Sequence, residues 1–207
     1  ESGDWGAARR GGAGRVGRRV RVEVAPKTHA KISTGQRSTK FDVSTSQNEA
    51  ATLYRQMAED AHITPAGLAV HIGSQILDLD PFERAYGALL EFGTALRGEG
   101  LPVPILDLGG GIGVDYQHGE PTDFTAYGAL VEQIFADTGF RLGFEPGRSI
   151  VANNGLLMSA VIHVKHGDNK RFVIVDAAMN DLLRPTLYEA HHAIQPVGPL
   201  GSMEGPA

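Results

Sequence analysis

Apolar positions along this chain fall into short continuous or alternating runs separated by helical spacings, and that rhythm predicts a parallel β/α architecture. Val20, Val22 and Val24 alternate with charged residues, as a short strand does. Ser46 and Glu49 have the spacing of a capping box, after which Ala50, Leu53, Tyr54, Met57 and Ala61 recur on one helical face. The run Leu68–Ile72 reads as a strand. Asp80, Pro81 and Glu83 then open a helix with Phe82, Ala85, Tyr86, Leu89, Leu90 and Leu96 on its inner side. A third strand is expected at Ile105–Leu108, a third helix through Phe124, Tyr127, Leu130, Val131, Ile134 and Phe135, and a strand at Arg141–Phe144. Parallel strands need crossovers, and helices supply them here. Beyond Arg148 the rhythm changes. Leu157–Lys165 and Arg171–Val175 are β-rich runs joined by His166-Gly-Asp-Asn169, which reads as a hairpin turn. A domain boundary is expected near Ala152–Gly155, dividing residues 1–152 from 153–207.

Bulk properties narrow the class without fixing it. The 207 residues are 42% hydrophobic and 21% charged, ordinary for a water-soluble globular chain. A net charge of -5 argues against a nucleic-acid surface. The one basic cluster, Arg9, Arg10, Arg15, Arg18, Arg19 and Arg21, has no interleaved aromatics for base stacking and reads as a solvated face or an ill-formed terminus. No apolar run approaches the ~20 residues needed to span a bilayer. With no cysteine there is no disulfide, no thiolate zinc site and no thiol nucleophile in this chain, and no metal centre is expected. The first residue is not methionine and the last ten form no evident element, so both ends read as cuts.

Candidate chemistry follows the strands. His71-Ile-Gly-Ser-Gln75, Gly109-Gly-Gly-Ile-Gly113 and Glu145-Pro-Gly-Arg148 are polar, glycine-containing segments, each just past a strand. In a βα barrel those positions form the active-site face, so the three point to one pocket. Two readings stand for each. Gly109, Gly110 and Gly111 make either an anion cradle of backbone N–H groups or a tight turn. Ser74 is a phosphate donor or a turn residue, and His71 a hydrogen-bonded core residue or a ring that stacks on an aromatic cofactor. Glu145 and Arg148, across Pro146-Gly147, form a local ion pair, or else Glu145 meets a cationic ring nitrogen while Arg148 clamps a carboxylate or phosphate. Arg184-Pro-Thr-Leu-Tyr188 is a surface turn or a second carboxylate site, and Asp176–Asp181 a turn or an active-site rim.

Taken in order, Thr28–Gly35, His71–Gln75, Leu106–Gly111, Glu145–Arg148 and Asp176–Tyr188 resemble the diaminopimelate decarboxylases. The His-Ile-Gly-Ser, triple-glycine and Glu-Pro-Gly-Arg segments are shared with the wider ornithine and arginine decarboxylase group. Lys-Ile-Ser-Thr-Gly and Arg-Pro-Thr-Leu-Tyr narrow the match. The resemblance spans about Lys27–Val197. It implies an α/β fold: the second half of a (β/α)8 barrel of TIM type binding pyridoxal 5'-phosphate, then the start of a C-terminal β domain. It also implies a homodimer with shared sites, acting on a small amino-acid substrate, and a cytoplasmic location is expected, with which the lack of cysteine is compatible. In that family His71 would stack on the cofactor ring. Ser74, Gly109–Gly111 and the Glu145–Arg148 turn would hold the cofactor's phosphate region, with Glu145 on the pyridine nitrogen. Arg148, Arg184 and Tyr188 would bind the distal carboxylate of meso-diaminopimelate, whose decarboxylation gives L-lysine.

The chain departs from that pattern in ways that bear on activity. The family's Schiff-base lysine, in a Tyr-Ala-x-Lys-type segment, is absent, as is its Cys-Glu-Ser motif, so no catalytic residue is assigned and the chain is expected to be inactive alone. Glu23-Val-Ala-Pro26 replaces Arg-x-Asn-Pro, and Asp42 stands where glycine is favoured. Three rivals remain: an ornithine or arginine decarboxylase, a non-catalytic relative, and an S-adenosylmethionine-dependent methyltransferase, whose first motif Ile105–Gly113 resembles. Against the last, βα units precede that motif and the acidic strand end expected after it is not evident.

Overall fold

The computed structural model describes residues 12–22, 24, 43–44, 48–116 and 123–198. Thr28–Gly35, Glu23 and Asp42 lie outside them. The chain divides into two compact units, Glu1–Val114 with Pro121–Asn154, and Asp115–Glu120 with Gly155–Ala207. The first is an α/β layer. Strands β1 (Gly14–Arg21), β2 (Val43–Ser44), β3 (Ile63–Ala69), β4 (Ile105–Asp107) and β5 (Arg141–Gly143) form a parallel sheet in the order β2-β1-β3-β4-β5. Helices α1 (Glu49–Glu59), α2 (Asp80–Gly98) and α3 (Phe124–Phe135) alternate with β3, β4 and β5 as the apolar rhythm predicts.

One face of the sheet is dry. Arg18, Leu68, Leu106 and Leu142 share a register row, and Leu68 and Leu106 are buried with Val20 against the helix side chains Tyr54, Phe82, Tyr86 and Leu89. The next row, Arg19, Ala69, Asp107 and Gly143, faces the opposite side because successive strand residues alternate. Three rings close the far end of the core: Tyr86 and Tyr127 share a 2.7 Å hydroxyl hydrogen bond, and Phe82 packs edge-on against Tyr127.

The structure corrects several boundaries. Helix α1 begins at Glu49 after Asn48, so Glu49 is its first residue and not the third of a capping box; Ser46 lies outside the described residues. It stops at Glu59, because Asp60 folds back to accept a hydrogen bond from the His62 amide at 2.7 Å, and Ala61 is exposed. Strand β3 starts five residues earlier than its apolar run, at Ile63, and ends at Ala69. Pro65 and Gly67 disguised it. The register slips beside Val16 and Gly17 of β1, and this bulge accommodates both. Arg15, Arg18, Arg19 and Arg21 form part of β1, a strand paired on both sides. Arg15 and Arg19 are exposed, as a solvated face requires, whereas Arg18 and Arg21 are half-buried.

Tyr54 couples this core to pH. Its hydroxyl donates to the Pro102 carbonyl at 2.7 Å, and burial raises its pKa from 10.0 to about 12. A raised pKa means that the folded chain holds the proton more tightly than the unfolded one. The contribution is therefore complete below about pH 10 and lost as pH rises toward about 12. Tyr54→Phe is expected to cost about 1 kcal/mol at neutral pH and to weaken alkaline unfolding between those limits, read by circular dichroism against pH. An unchanged alkaline profile would rule this out.

The second unit carries β6 (Val161–His166) and β7 (Arg171–Val175), the antiparallel ribbon that the β-rich runs predict, but its first strand starts at Val161, four residues after Leu157, and includes His166, so the turn is 167–170. Its residues are exposed on both faces. Asp176 pins its open end, accepting from the Ala160 amide (2.8 Å) and the Ser159 hydroxyl (3.0 Å); these bonds, the Ala160 amide first, hold its carboxyl below the usual range. Asp181 closes the next turn by accepting from the Ala178 amide at 2.8 Å. The Asp176–Asp181 carboxylates thus serve local turns. The short helix α5 (Arg184–Tyr188) follows.

Candidate functional site

Past the carboxyl ends of β3, β4 and β5, three loops pack backbone to backbone. The β4–β5 ladder runs on beyond the strands: Leu108 donates to the Gly143 carbonyl and Glu145 to that of Gly109, at 2.9 and 2.8 Å. Between β3 and β4, Ile76 donates to Gly111 and Gly113 to Ile76. The glycines are what let the loops touch. A Cβ on Gly109, Gly110 or Gly111 would lie 2.2 Å from the carbonyl oxygen of Val70, Glu145 or Gly73 respectively. Gly109 and Gly111 also hold φ of 68° and 102°, which side chains resist. The triple glycine is thereby wedged between its two neighbours, a packing that neither the amide-cradle reading nor the tight-turn reading includes.

Side chains complete the junction. Arg148 donates from Nη2 to Ser74 Oγ at 3.1 Å, joining loops 74 residues apart. Because the Ser74 oxygen accepts, its own hydrogen can be donated onward. The Gly110 amide donates to His71 Nδ1 at 3.3 Å, which places the ring hydrogen on Nε2 and fixes the imidazole edge. Glu145, Pro146 and Gly147 are exposed, and Arg148 opens a one-turn helix, α4 (Arg148–Val151). The first unit thus brings together His71, Ser74, Gly109–Gly111 and the Glu145–Arg148 turn. Arg184 and Tyr188 belong to the second unit, both half-buried on α5.

Two supporting residues escaped the sequence reading. Asp107 Oδ1 accepts from the Gly109 amide at 2.9 Å and so holds the first glycine in its turn. An aspartate two residues before a glycine is a legible signal for such a turn. Gln75, at φ 60°, uses its whole amide: Nε2 donates to the Val114 carbonyl, and Oε1 accepts from the Val114 amide at 3.2 Å. No local pattern announces a pairing over that distance. As a result the amides of Gly109 and Gly110 donate inside the protein, to Asp107 and His71.

Residues 8–152 match the family described as pyridoxal-dependent decarboxylase, pyridoxal binding domain. The chain belongs to that family. It is 46% identical over 186 residues to a diaminopimelate decarboxylase of Zymomonas mobilis, covering 89% of this chain and 44% of that protein. With the Neisseria meningitidis protein of that name the figures are 43% over 193 residues, 93% and 47%. A crystal structure of diaminopimelate decarboxylase from Helicobacter pylori complexed with L-lysine superposes with TM-score 0.89 at 38% identity, covering 95% of this chain and 49% of that one. The chain spans about half the length of the curated relatives it matches. Its fold is that of the family's decarboxylases, part of a β/α barrel followed by β structure. Among the described residues no helix is long and apolar enough to cross a membrane.

The donor set suits the family's cofactor, pyridoxal 5'-phosphate. Ser74 and Arg148 supply a hydroxyl and a guanidinium side by side, a match for phosphate oxygens. The exposed Glu145 opens the same turn that carries Arg148 and supplies a carboxylate, the chemistry a protonated ring nitrogen requires. His71 adds an imidazole whose edge the Gly110 amide fixes.

Proposed function

We propose that this sequence serves a pyridoxal 5'-phosphate-dependent decarboxylase that converts meso-2,6-diaminopimelate to L-lysine and CO2. The observation that carries the reading is the Ser74–Arg148 hydrogen bond across the glycine wedge, which joins the loops of three successive strands into one donor-rich junction. Residues 1–152 form part of the cofactor-binding barrel on this reading, and 153–207 begin a β domain. The working protein is a cytoplasmic homodimer.

The bound cofactor supplies an electron sink for the bond that loses CO2. The protein's part is to bind and orient. Ser74, Arg148 and the glycine loop hold the phosphate region, with Gly109 and Gly110 contributing shape and Gly111 the approach of backbone. Glu145 would keep the ring nitrogen protonated, and His71, its edge held by Gly110, would stack on the ring. Arg148, Arg184 and Tyr188 take the distal carboxylate, which stays on the product. The lysine that anchors the cofactor covalently in this family, in its Tyr-Ala-x-Lys-type segment, and the family's cysteine are not among these 207 residues. We infer that they do not turn over substrate by themselves.

The test is substrate choice in the full-length protein. Arg184→Ala is expected to raise KM for meso-diaminopimelate by about a hundredfold, the scale of a lost charge-assisted carboxylate pair. Ornithine and arginine lack the distal carboxylate and are expected to be poor substrates throughout. An unchanged KM and turnover after Arg184→Ala, or a preference for ornithine, would sink the diaminopimelate reading while leaving the family intact.

A further inference from the structure

Arg184 does not stand alone in the second unit. Its Nη1 lies 3.2 Å from His192 Nε2. A guanidinium only donates, so Nε2 accepts and the imidazole hydrogen is on Nδ1. The chain reaches back to make this bond. Helix α5 ends in a left-handed residue, Glu189 at φ 53°, and the Ala190 amide returns to the Arg184 carbonyl at 3.4 Å. On another side the Arg184 guanidinium carbon lies 5.0 Å from the centroid of the Tyr116 ring. The Tyr116 and His192 rings themselves meet at 5.5 Å, tilted by 48°. Each of the three therefore touches the other two, and all belong to the second unit, Tyr116 by way of Asp115–Glu120.

We propose that Tyr116 and His192 are positioning residues for Arg184 that set its guanidinium to receive a substrate carboxylate. The inference rests on the assignment of Arg184 to that carboxylate. Two physical points carry it. Both partners are uncharged, so they fix the guanidinium without neutralising it, and its charge stays effective toward an anion. And an arginine side chain gives up rotamer freedom when it is held still. Holding it beforehand, by one hydrogen bond and one ring face, removes part of that cost from the binding step. A guanidinium has five N–H donors. One serves His192, and a two-pronged carboxylate pair needs two more. Neither Tyr116 nor His192 touches the reacting atoms on this view; they act through Arg184.

Steady-state kinetics of the full-length protein on meso-diaminopimelate separate the possibilities, with Arg184→Ala as reference. His192→Phe keeps a ring against Tyr116 but removes the acceptor; Tyr116→Leu removes the ring face. Each is expected to raise KM about tenfold, with kcat within about twofold, because an interaction made equally in ground and transition states is lost. His192→Gln presents an amide oxygen at similar reach and should restore KM to within about threefold of the parent. Thermal melting of each variant checks that it is folded. If Arg184→Ala raises KM and neither His192→Phe nor Tyr116→Leu does, this proposal fails and the assignment of Arg184 stands. A fall in kcat and melting temperature that His192→Gln does not relieve marks a merely structural role and overturns it too. If Arg184→Ala itself changes nothing, the substrate reading fails first.

Discussion

Gly110→Ala is expected to cost at least about a hundredfold in affinity for pyridoxal 5'-phosphate while leaving the fold largely standing. Gly110 carries no positive φ, so the effect is one of space alone. Its new Cβ would lie 2.2 Å from the Glu145 carbonyl oxygen and 3.1 Å from its carbon, both backbone atoms that no rotamer change can remove. The Glu145–Pro146 loop must retreat. That strains the hydrogen bond from the Glu145 amide to the Gly109 carbonyl and the one from Arg148 to Ser74, two of the contacts that close the junction. A displacement of about 1 Å in a binding constellation is worth on the order of a hundredfold. Overpacking typically costs about 1–3 kcal/mol of stability, and here the dry core lies beneath the loops, with Leu106 and Leu108 fully buried. Absorbance titration with the cofactor, beside a thermal melt, reads both. Gly128→Ala is the control: that glycine lies on the exposed side of α3, with nothing within 4 Å of its added Cβ, and should gain about 0.5–1 kcal/mol. Parental cofactor affinity in Gly110→Ala would mean that the glycine wedge does not shape the site.

The same wedge marks how far sequence reasoning reached. The β/α order, the helix faces and the hairpin were legible because each apolar period runs over enough residues to average out exceptions. So was the convergence of the three loops, since parallel strands must end on one side of their sheet. What stayed hidden was long-range or depended on a backbone conformation. Gln75 and Val114 are 39 positions apart, and nothing near either residue announces their pairing. His192 and Tyr116 gained no role because a histidine in Ala190-His-His-Ala193 has no period to sit in, and because Asp115–Glu120 joins the second unit ahead of the main boundary. The triple glycine was visible, but its reason was not. Read as an amide cradle or a tight turn, it becomes in three dimensions chiefly a means of close approach, with the Gly109 and Gly110 amides already given to Asp107 and His71.

Gly67 is the sharpest case of that kind, and it should be the fold's most sensitive glycine. A proline and a glycine inside Ile63–Ala69 argue against a strand, yet β3 lies at the centre of the sheet, between β1 and β4. Gly67 holds φ 140°, and an added Cβ would sit 2.0 Å from the Ile105 carbonyl oxygen, 2.8 Å from its carbon and 3.1 Å from its Cα. Strain and clash therefore act together, against β4 backbone that is itself locked to β5. Relief requires β3 to leave β4. The next residue, Leu68, is 1% exposed in the core row, so parting the strands opens the dry face as well. Gly67→Ala is expected to lose about 3 kcal/mol or more, near the upper end of what single substitutions cost, read as a lower urea midpoint. Because His71 continues the same strand direction, cofactor affinity should fall with stability here, whereas in Gly110→Ala the two should separate. Stability within about 1 kcal/mol of the parent would show that the bulge can reclose around a methyl group, and that the sheet is held by its apolar rows without help from this contact.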